Sequence, residues 1–577
     1  MIIVLLLIVL IIILFSSGKL PPDSVVLIAL IILVITGILT PTEAFLGFGS
    51  DFIIMLASIF IISASLQHNG VVEFFSNKLT GVQTKNYFLT VTIIMLSVGT
   101  LSAFMNNTTV AAVMVLPILG MCKKAGLSPS KYLMPMAFAS LLGGTCTLIG
   151  TSTNIAGNNF LVANGMQPIG MFEFLPIGAT LLFFSTLVFA LIGNKILPGN
   201  SETNSKVMAI SERQFYTHFM VNETSPLVGR SVKNLVGDGI TFLKVKNNSG
   251  EMPLSNEYII NQNDELFFIA SSQSIKTFYN NYRIHENAHD KSQKTSVAEI
   301  MVLPSSFIAN STIGYSGFDH KTRLMPVGIF RKNFSFVSNL KDTIIKTGDI
   351  IIVSGSDEDI TQLRYQNDFI ILTEQGKAHL PNLKKGFISL SIFIAAILLG
   401  SFGIVHMSIA FLIAVLVTLS FNVLPGSAIY SKVDWRLIIL IGGMTAFGTA
   451  IKKTGADIYL ADHIVNIFSG SNHLLILFAF MVLTVLLTQP MSNAAAALVI
   501  LPIALQSANS LGANPRSFAI AIILSASISL VTPFEPASLL VMNPGNYKIS
   551  HFFKIGGLLT LSSLIIILIL VASFYQI

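Results

Sequence analysis

Charge is scarce in this chain. Asp, Glu, Lys and Arg make up 11% of its 577 residues, against ~25% in an ordinary soluble protein, and 53% are hydrophobic. That balance excludes a soluble multidomain fold, and the chain reads as a polytopic membrane protein. Cysteine is nearly absent as well. Cys122 and Cys146 both lie in apolar runs, and two thiols make neither a disulfide framework nor a metal cluster, so packing is their expected role. No Lys or Arg occurs from Tyr87 to Cys122, from Tyr132 to Asn194, from His473 to Pro515 or from Ser517 to Tyr547. The net charge of +6 therefore does not mark a nucleic-acid partner. The basic residues sit in short loops and one polar stretch, the pattern that orients a protein in a lipid bilayer. Metal clusters, nucleophile triads and phosphate loops are missing, so neither enzyme activity nor a cofactor is expected.

What the chain does have is a pair of polar notches. Met105-Asn106-Asn107-Thr108-Thr109 and Met491-Ser492-Asn493-Ala494-Ala495 each interrupt a long apolar run, and each leads into Leu-Pro-Ile, at Leu116–Ile118 and Leu501–Ile503. An exposed turn cannot sit in lipid, but a re-entrant helical hairpin packed against protein can. Each notch is followed by an apolar run with its own break, at Gly150-Thr151-Ser152-Thr153-Asn154 and at Thr532-Pro533-Phe534-Glu535-Pro536. The first apolar run, Ile2 to Phe15, lacks a basic leader and a cleavage site and reads as a retained span.

The spacing predicts an all-α polytopic membrane protein of two repeats, residues 1–195 and 385–577, each with five spans and one hairpin. Five is odd, so the second repeat should lie inverted in the membrane. Between them the composition turns polar and shows short strand-like runs, a soluble α+β insert. Ser225–Gly229 with Asn263–Glu265 is matched to Thr312–Gly314 with Thr347–Asp349, which divides the insert into two lobes, 196–290 and 291–384. With the insert in the cytoplasm, Lys19, Lys78, Lys131, Lys195, Lys384, Lys385, Lys432, Arg436 and Lys548, among others, fall inside, and only Lys452, Lys453 and Arg516 outside. That asymmetry places both termini outside, with Asp51 and Glu173 on outer edges where they need no function.

Unwinding a helix at mid-membrane frees carbonyls that suit Na⁺ and N–H groups that suit an anion. The candidate sodium ligands are Asn107, Thr108, Gly150 and Thr151 in one repeat and Ser492, Asn493 and Thr532 in the other. Substrate is expected to touch Asn106, Asn107, Thr108, Thr153, Asn154, Ser492 and Asn493. Without a basic side chain, an anionic substrate must be balanced by helix ends and co-bound cations. Glu535 is the one carboxylate inside a broken span, and ionisable groups at that depth are costly and usually functional, so it is a possible coupling group.

Gly143-Gly144-Thr145-Cys146-Thr147-Leu148-Ile149-Gly150-Thr151-Ser152-Thr153-Asn154 resembles the first broken-helix motif of the divalent anion/sodium symporter family. Asn107-Thr108 and Ser492-Asn493 resemble its paired hairpin tips, and the insert resembles two C-terminal lobes of potassium-conductance regulator (TrkA-C) domains. The resemblance implies an inverted-repeat fold, a homodimer, elevator-type movement, Na⁺ as coupling ion, and sulfate or di- and tricarboxylates as substrates. It also implies a bacterial inner (plasma) membrane location. This chain departs from the pattern at Thr532-Pro533-Phe534-Glu535-Pro536, where the family carries an Asn-containing stretch.

The expected function is thus Na⁺-coupled uptake of a small divalent anion, sulfate or a dicarboxylate. The lobes bind a small regulatory ligand, pair with each other, or only brace the dimer. The alternative is a cation/proton antiporter or metalloid efflux carrier on the same scaffold, with Glu535 as its titratable group.

Overall fold

In a computed structural model, the protein is described over residues 1–17, 20–72, 74–75, 86–198, 214–221, 225–232, 240–247, 250–253, 257–271, 274–275, 277–278, 295–303, 306–331, 343–356, 359–360, 363, 368–372, 383–424, 429–467, 472–542 and 544–575. Lys19 and Lys78 of the charge pattern lie outside the described residues. The chain divides into two compact units, 1–199 with 381–577, and 200–380.

The first unit is helical. Its first half runs α1 (Ile2–Ser17), α2 (Pro22–Ile35), α3 (Pro41–Leu46), α4 (Asp51–His68), α5 (Tyr87–Ser102), α6 (Asn107–Ala125), α7 (Leu133–Gly144), α8 (Ser152–Ala163) and α9 (Leu175–Ile196). After the insert come α10 (Leu383–Ser401), α11 (Met407–Ser420), a single turn at Ile429–Lys432, and α12 (Trp435–Lys453). Then follow α13 (Ala456–Ile467), α14 (His473–Thr488), α15 (Asn493–Ser510), α16 (Pro515–Ser527), α17 (Pro536–Met542) and α18 (Ile549–Tyr575). Six of these, α4, α9, α10, α12, α15 and α18, are long and apolar enough to cross a membrane; α9, at 22 residues, reaches ~33 Å at 1.5 Å per residue, enough for a ~30 Å hydrocarbon core. The sequence reading missed the short α3 and α13. A Thr40–Glu43 capping box starts α3, where each side chain takes the other's backbone N–H.

The two halves repeat the same order of elements and exchange contacts. α2 packs on α12 while α4 packs on α11; α15 packs on α8 while α17 packs on α6. Polar ties at the helix ends follow the same exchange. Lys453 Nζ at the end of α12 donates to both Glu43 carboxylate oxygens at 2.9 Å, and Asn69 just after α4 donates to the Val423 carbonyl at 2.9 Å. Glu173, expected on an outer edge with no function, accepts two bonds from Arg516, at 2.9 Å from Nε and 2.7 Å from Nη2. Arg516 also donates to the Gln167 and Pro168 carbonyls. Tyr547, fully buried, donates its hydroxyl to the Ser130 carbonyl at 2.5 Å and accepts the Met134 N–H at 2.9 Å. Thus the loop after each broken helix holds the start of the other one.

The second unit carries an eight-stranded antiparallel sheet. Its strands are β1 (Gln214–Met220), β2 (Ile240–Asn247), β3 (Gly250–Pro253), β4 (Glu265–Ser271), β5 (Thr295–Val302), β6 (Met325–Phe330), β7 (Ile350–Ser356) and β8 (Phe369–Ile371), in the order β3-β2-β4-β1-β6-β7-β5-β8. The run β2-β4-β1 repeats as β6-β7-β5, and the two triplets join where Tyr216 and Thr217 of β1 pair with Ile329 and Gly328 of β6. Ile300, Ile308, Phe318, Ile345, Ile351 and Val353 form part of the core of the second triplet. The strand order repeats within the insert, in a register that differs from the one read in sequence. Asp264 and Asp349 occupy the same place, each accepting the N–H of the residue three before it at 2.7 Å. Asn263 and Gly348, just before them, share a left-handed φ, of 65° and 84°. Gly229 corresponds to Asn310, since their N–H groups meet the Ile260 and Ile345 carbonyls. The partner of Ser225–Gly229 is therefore Ser306–Asn310, with Thr312 matching Ser231 instead. Hydrogen bonds fix this register, and short side-chain motifs alone did not.

Candidate functional site

Each half contains a helical hairpin and a broken helix tied together at their polar breaks. The first hairpin is α5 and α6, with its tip at 103–106; the second is α14 and α15, with its tip at 489–492. Both second arms start with a side-chain cap. Asn106 Oδ1 accepts the Thr108 N–H at 2.9 Å, and Ser492 Oγ accepts the Ala495 N–H at 3.3 Å. A small polar residue just ahead of an apolar run is the local reason the chain turns there. Asn106 and Ser492 are exposed, while Asn107 and Asn493, one residue on, are half-buried.

The breaks lie at 145–151 and 528–535, each a few residues earlier than expected. Ser152, Thr153 and Asn154 belong to the first turn of α8, because Thr151 has the extended backbone of a helix N-cap. Backbone and side-chain bonds hold the first break shut against its hairpin. Thr147 donates its hydroxyl to the Ala103 carbonyl and accepts the Gly150 N–H at 3.1 Å. Asn154, fully enclosed, donates Nδ2 to the Thr147 carbonyl at 2.8 Å and the Gly144 carbonyl at 3.3 Å. At Gly150 a Cβ would stand 2.5 Å from the Gly144 oxygen and 2.9 Å from the Ala103 oxygen, so only glycine lets these backbones close. Asn107 rests on Gly144, with its Oδ1 2.8 Å from the Ser102 hydroxyl.

The second half makes the same tie with different atoms. Gln489, which follows α14 as Ala103 follows α5, accepts the Thr532 hydroxyl on Oε1 at 2.8 Å. Its Nε2 donates to the Val485 carbonyl at 2.9 Å, Thr488 Oγ1 at 3.1 Å and Ser529 Oγ at 3.4 Å. Asn493 donates Nδ2 to Glu535 Oε1. The breaks are cradled alike from behind. A Cβ on Gly178 of α9 would lie 2.7 Å from the Thr145 oxygen, and one on Gly556 of α18 would overlap the Leu530 carbonyl.

The two breaks also communicate across the halves. Ser527, the last residue of α16, has its hydroxyl 3.4 Å from Asn154 Oδ1 and 3.1 Å from the Ile523 carbonyl. Asn154 thus meets the Gly144 carbonyl on one side and lies beside Ser527 on the other. Ser529, Gln489 and Thr532, and Asn493 with Glu535, line the second break. Two hydroxyls in the first turns beyond the breaks, Thr153 Oγ1 and Ser538 Oγ, are buried without any hydrogen-bond partner. Eleven other buried side-chain atoms among the described residues share that condition, so it does not by itself mark the breaks. Cys122 and Cys146 are free and buried. Ser102, Thr147, Gln489, Ser527 and Ser529 were not singled out from sequence; the amide of Gln489 at the end of an apolar run, just before Pro490, was the available signal.

The citrate transporter (CitMHS) family model matches residues 10–525 and again 459–576. The chain is 27% identical over 557 residues to the uncharacterized transporter YfbS of Escherichia coli, covering 90% of each chain. It is 25% identical over 553 residues to the uncharacterized transporter sll0640 of Synechocystis sp., covering 92% of this chain and 89% of that one. Sodium/sulfate cotransporter 1 of Chlamydomonas reinhardtii is 21% identical over 372 residues, 57% of this chain and 41% of the relative. A family model that spans nearly the whole chain, on a helical unit with six helices able to cross a membrane, makes this protein an integral membrane transporter, not an enzyme, and a member of the citrate transporter (CitMHS) family.

Proposed function

We propose that this transporter takes up a small divalent anion, sulfate or a dicarboxylate, together with Na⁺. The supporting observation is the pairing of two hairpin tips with two broken helices, tied by Thr147 to the Ala103 carbonyl in one half and by Thr532 to Gln489 in the other. The site offers oxygens, amides and helix ends but no basic side chain, so an anion needs a co-bound cation for charge balance. The sodium/sulfate cotransporters among its relatives support the same pair of ions. The sodium ligands in this reading are Asn107, Thr108, Gly150 and Thr151 with Ser492, Asn493 and Thr532. The halves lie inverted in the bilayer, both termini outside and the TrkA-C-like lobes in the cytoplasm. Two copies form the functional dimer, and hairpins and broken helices move together as an elevator.

Counterflow in proteoliposomes tests this directly. Preloaded unlabelled sulfate or succinate should drive accumulation of labelled sulfate or succinate in Na⁺ and not in choline. A second reading, cation/proton exchange, is favoured by the carboxylate that Asn493 holds at the second break. Cation movement driven by a pH gradient and indifferent to both anions would establish that reading in place of the first.

A further inference from the structure

The helices of the membrane unit sort into two groups by what they pack on. The hairpins and broken helices, with α9 and α18 behind them, make up α5–α9 and α14–α18; α1–α4 pack with α10–α13. Polar bonds tie each group together across the halves. Arg516 with Glu173 and Tyr547 with Ser130 do so in the first group. Lys453 with Glu43, Asn69 with the Val423 carbonyl, and the Ser65 and Ser389 hydroxyls, 2.6 Å apart, do so in the second. The groups meet where α15 packs on α12 and α13, and where α8 packs on α12 and α4.

Across that boundary the described residues make one side-chain hydrogen bond. Asn159 of α8 donates Nδ2 to Thr445 Oγ1 of α12 at 3.1 Å, and both residues are buried. Thr445 gives its own proton to the Ile441 carbonyl at 2.8 Å, so a lone pair is what it turns to Asn159. A steric fit stands beside the bond. Phe160, 1% exposed, lies so near Gly448 of α12 that a Cβ there would be 2.4 Å from its ring atom Cε2. Gly442 and Gly443 of the same helix make room for Phe48 and Val26, from α12's own group. Gly448 makes room for a residue of the other group. An apolar side chain at 159 would bury as well and leave no amide to satisfy. A lone buried amide between apolar helices selects one register of the two surfaces, as an Asn does at the seam of a coiled coil, whereas apolar contact is non-directional.

Resting on the elevator movement proposed above, we infer that Asn159 with Thr445 and Phe160 with Gly448 form a latch that holds the moving group at one stop of its travel. None of the four belongs to a hairpin tip or a break. Asn159 and Phe160 are positioning residues: they set the population of this state and, through it, how often the carrier leaves it. Departure requires the bond to break and the ring to quit its gap, so the groups change between discrete packings instead of drifting.

The test reads how often the groups part. Ala461 is fully buried on α13. In full-length protein with Cys122 and Cys146 replaced by Ala, the maleimide labelling rate of Ala461→Cys follows the fraction of molecules open at this boundary, even where that fraction is small. Thr445→Val keeps the size and removes the acceptor, and should raise the rate about fivefold or more. Gly448→Ala should do the same by displacing the ring, and adding Phe160→Leu should bring the rate back to within about twofold of the parent, a rescue that simple loss of folding would not show. Separately, Asn159→Cys with Thr445→Cys, bridged by Hg²⁺, should stop sulfate and succinate counterflow, with recovery in dithiothreitol. Parent-like labelling in Thr445→Val and Gly448→Ala, or no rescue by Phe160→Leu, overturns the latch; if the Hg²⁺ bridge still stops counterflow, the elevator reading stands without it. Counterflow at the parent rate through the bridged protein overturns both. A parent that moves neither anion refutes the proposed substrate, and the labelling rates still decide the latch.

Discussion

The glycine cradles behind the two breaks give the sharpest mechanical prediction. At Gly178 an added Cβ would lie 2.7 Å from the Thr145 oxygen and 2.8 Å from both the nitrogen and Cα of Cys146, all of them backbone atoms. A carbon and a carbonyl oxygen ordinarily sit ~3.3–3.6 Å apart, so Gly178→Ala must push the first break outward by ~0.6–0.9 Å. Overpacking of that kind costs about 1–3 kcal/mol. A ~1 Å misplacement of a binding constellation can cost roughly 100-fold in a rate. Gly556→Ala should do the same to the second break, where the overlap with the Leu530 carbonyl is tighter still. The chain supplies its own control: Gly557, the next residue of α18, has nothing within 4 Å of its would-be Cβ. Gly557→Ala should therefore transport normally, with a gain of up to ~1 kcal/mol from better helix propensity. Initial uptake rates in proteoliposomes, normalised to inserted protein, decide the matter. A Gly556→Ala protein as active as the parent, or a Gly557→Ala protein as impaired as Gly556→Ala, would refute the idea that the breaks are held in register from behind.

Three further outcomes follow from the ties described above. Glu173→Gln and Arg516→Leu should each destabilise the membrane unit, and their double-mutant cycle should show a coupling of about 1–3 kcal/mol, read by denaturant unfolding in mixed micelles; strict additivity would mean the pair contributes nothing. Tyr547→Phe removes the acceptor of the buried Met134 N–H and the donor to Ser130, at about 1–3 kcal/mol for each group left unsatisfied, and a thermal midpoint equal to the parent's would contradict this. In the insert, Gly348→Val forces a β-branched residue to a φ of 84° and should cost about 1–3 kcal/mol of stability, read as a lower unfolding midpoint of the full chain, whereas Asn263→Gly at the matching turn should leave that midpoint unchanged or raise it.

Much of this architecture was legible in the sequence because membranes simplify the pattern. Apolar runs of fixed length announce helices, and Asn106-Asn107 or Ser492-Asn493 inside such a run announces a turn that needs protein cover. The exact edges of the breaks were not legible. Thr151 through Asn154 look like an interruption, yet after an extended residue the same types start a helix, and the unwound stretch falls on 145–151 instead. Ties such as Glu173 to Arg516, 343 residues apart, leave no local trace, and neither does the use of Gln489 where the first half uses the Ala103 backbone. In the insert, the motif Ser225–Gly229 was paired with the wrong segment because Gly229 and Asn310 share a turn role but not a residue type.

The shared sheet of the insert has a consequence for how copies of this chain can meet. Joining the triplets through β1 and β6 hides the two longest open borders. Among the described residues the outer margins that remain are β3, four residues ending in Pro253, and β8, three residues long. Such stubs make poor templates for a further strand. Strand-by-strand stacking of inserts is therefore disfavoured at both described margins.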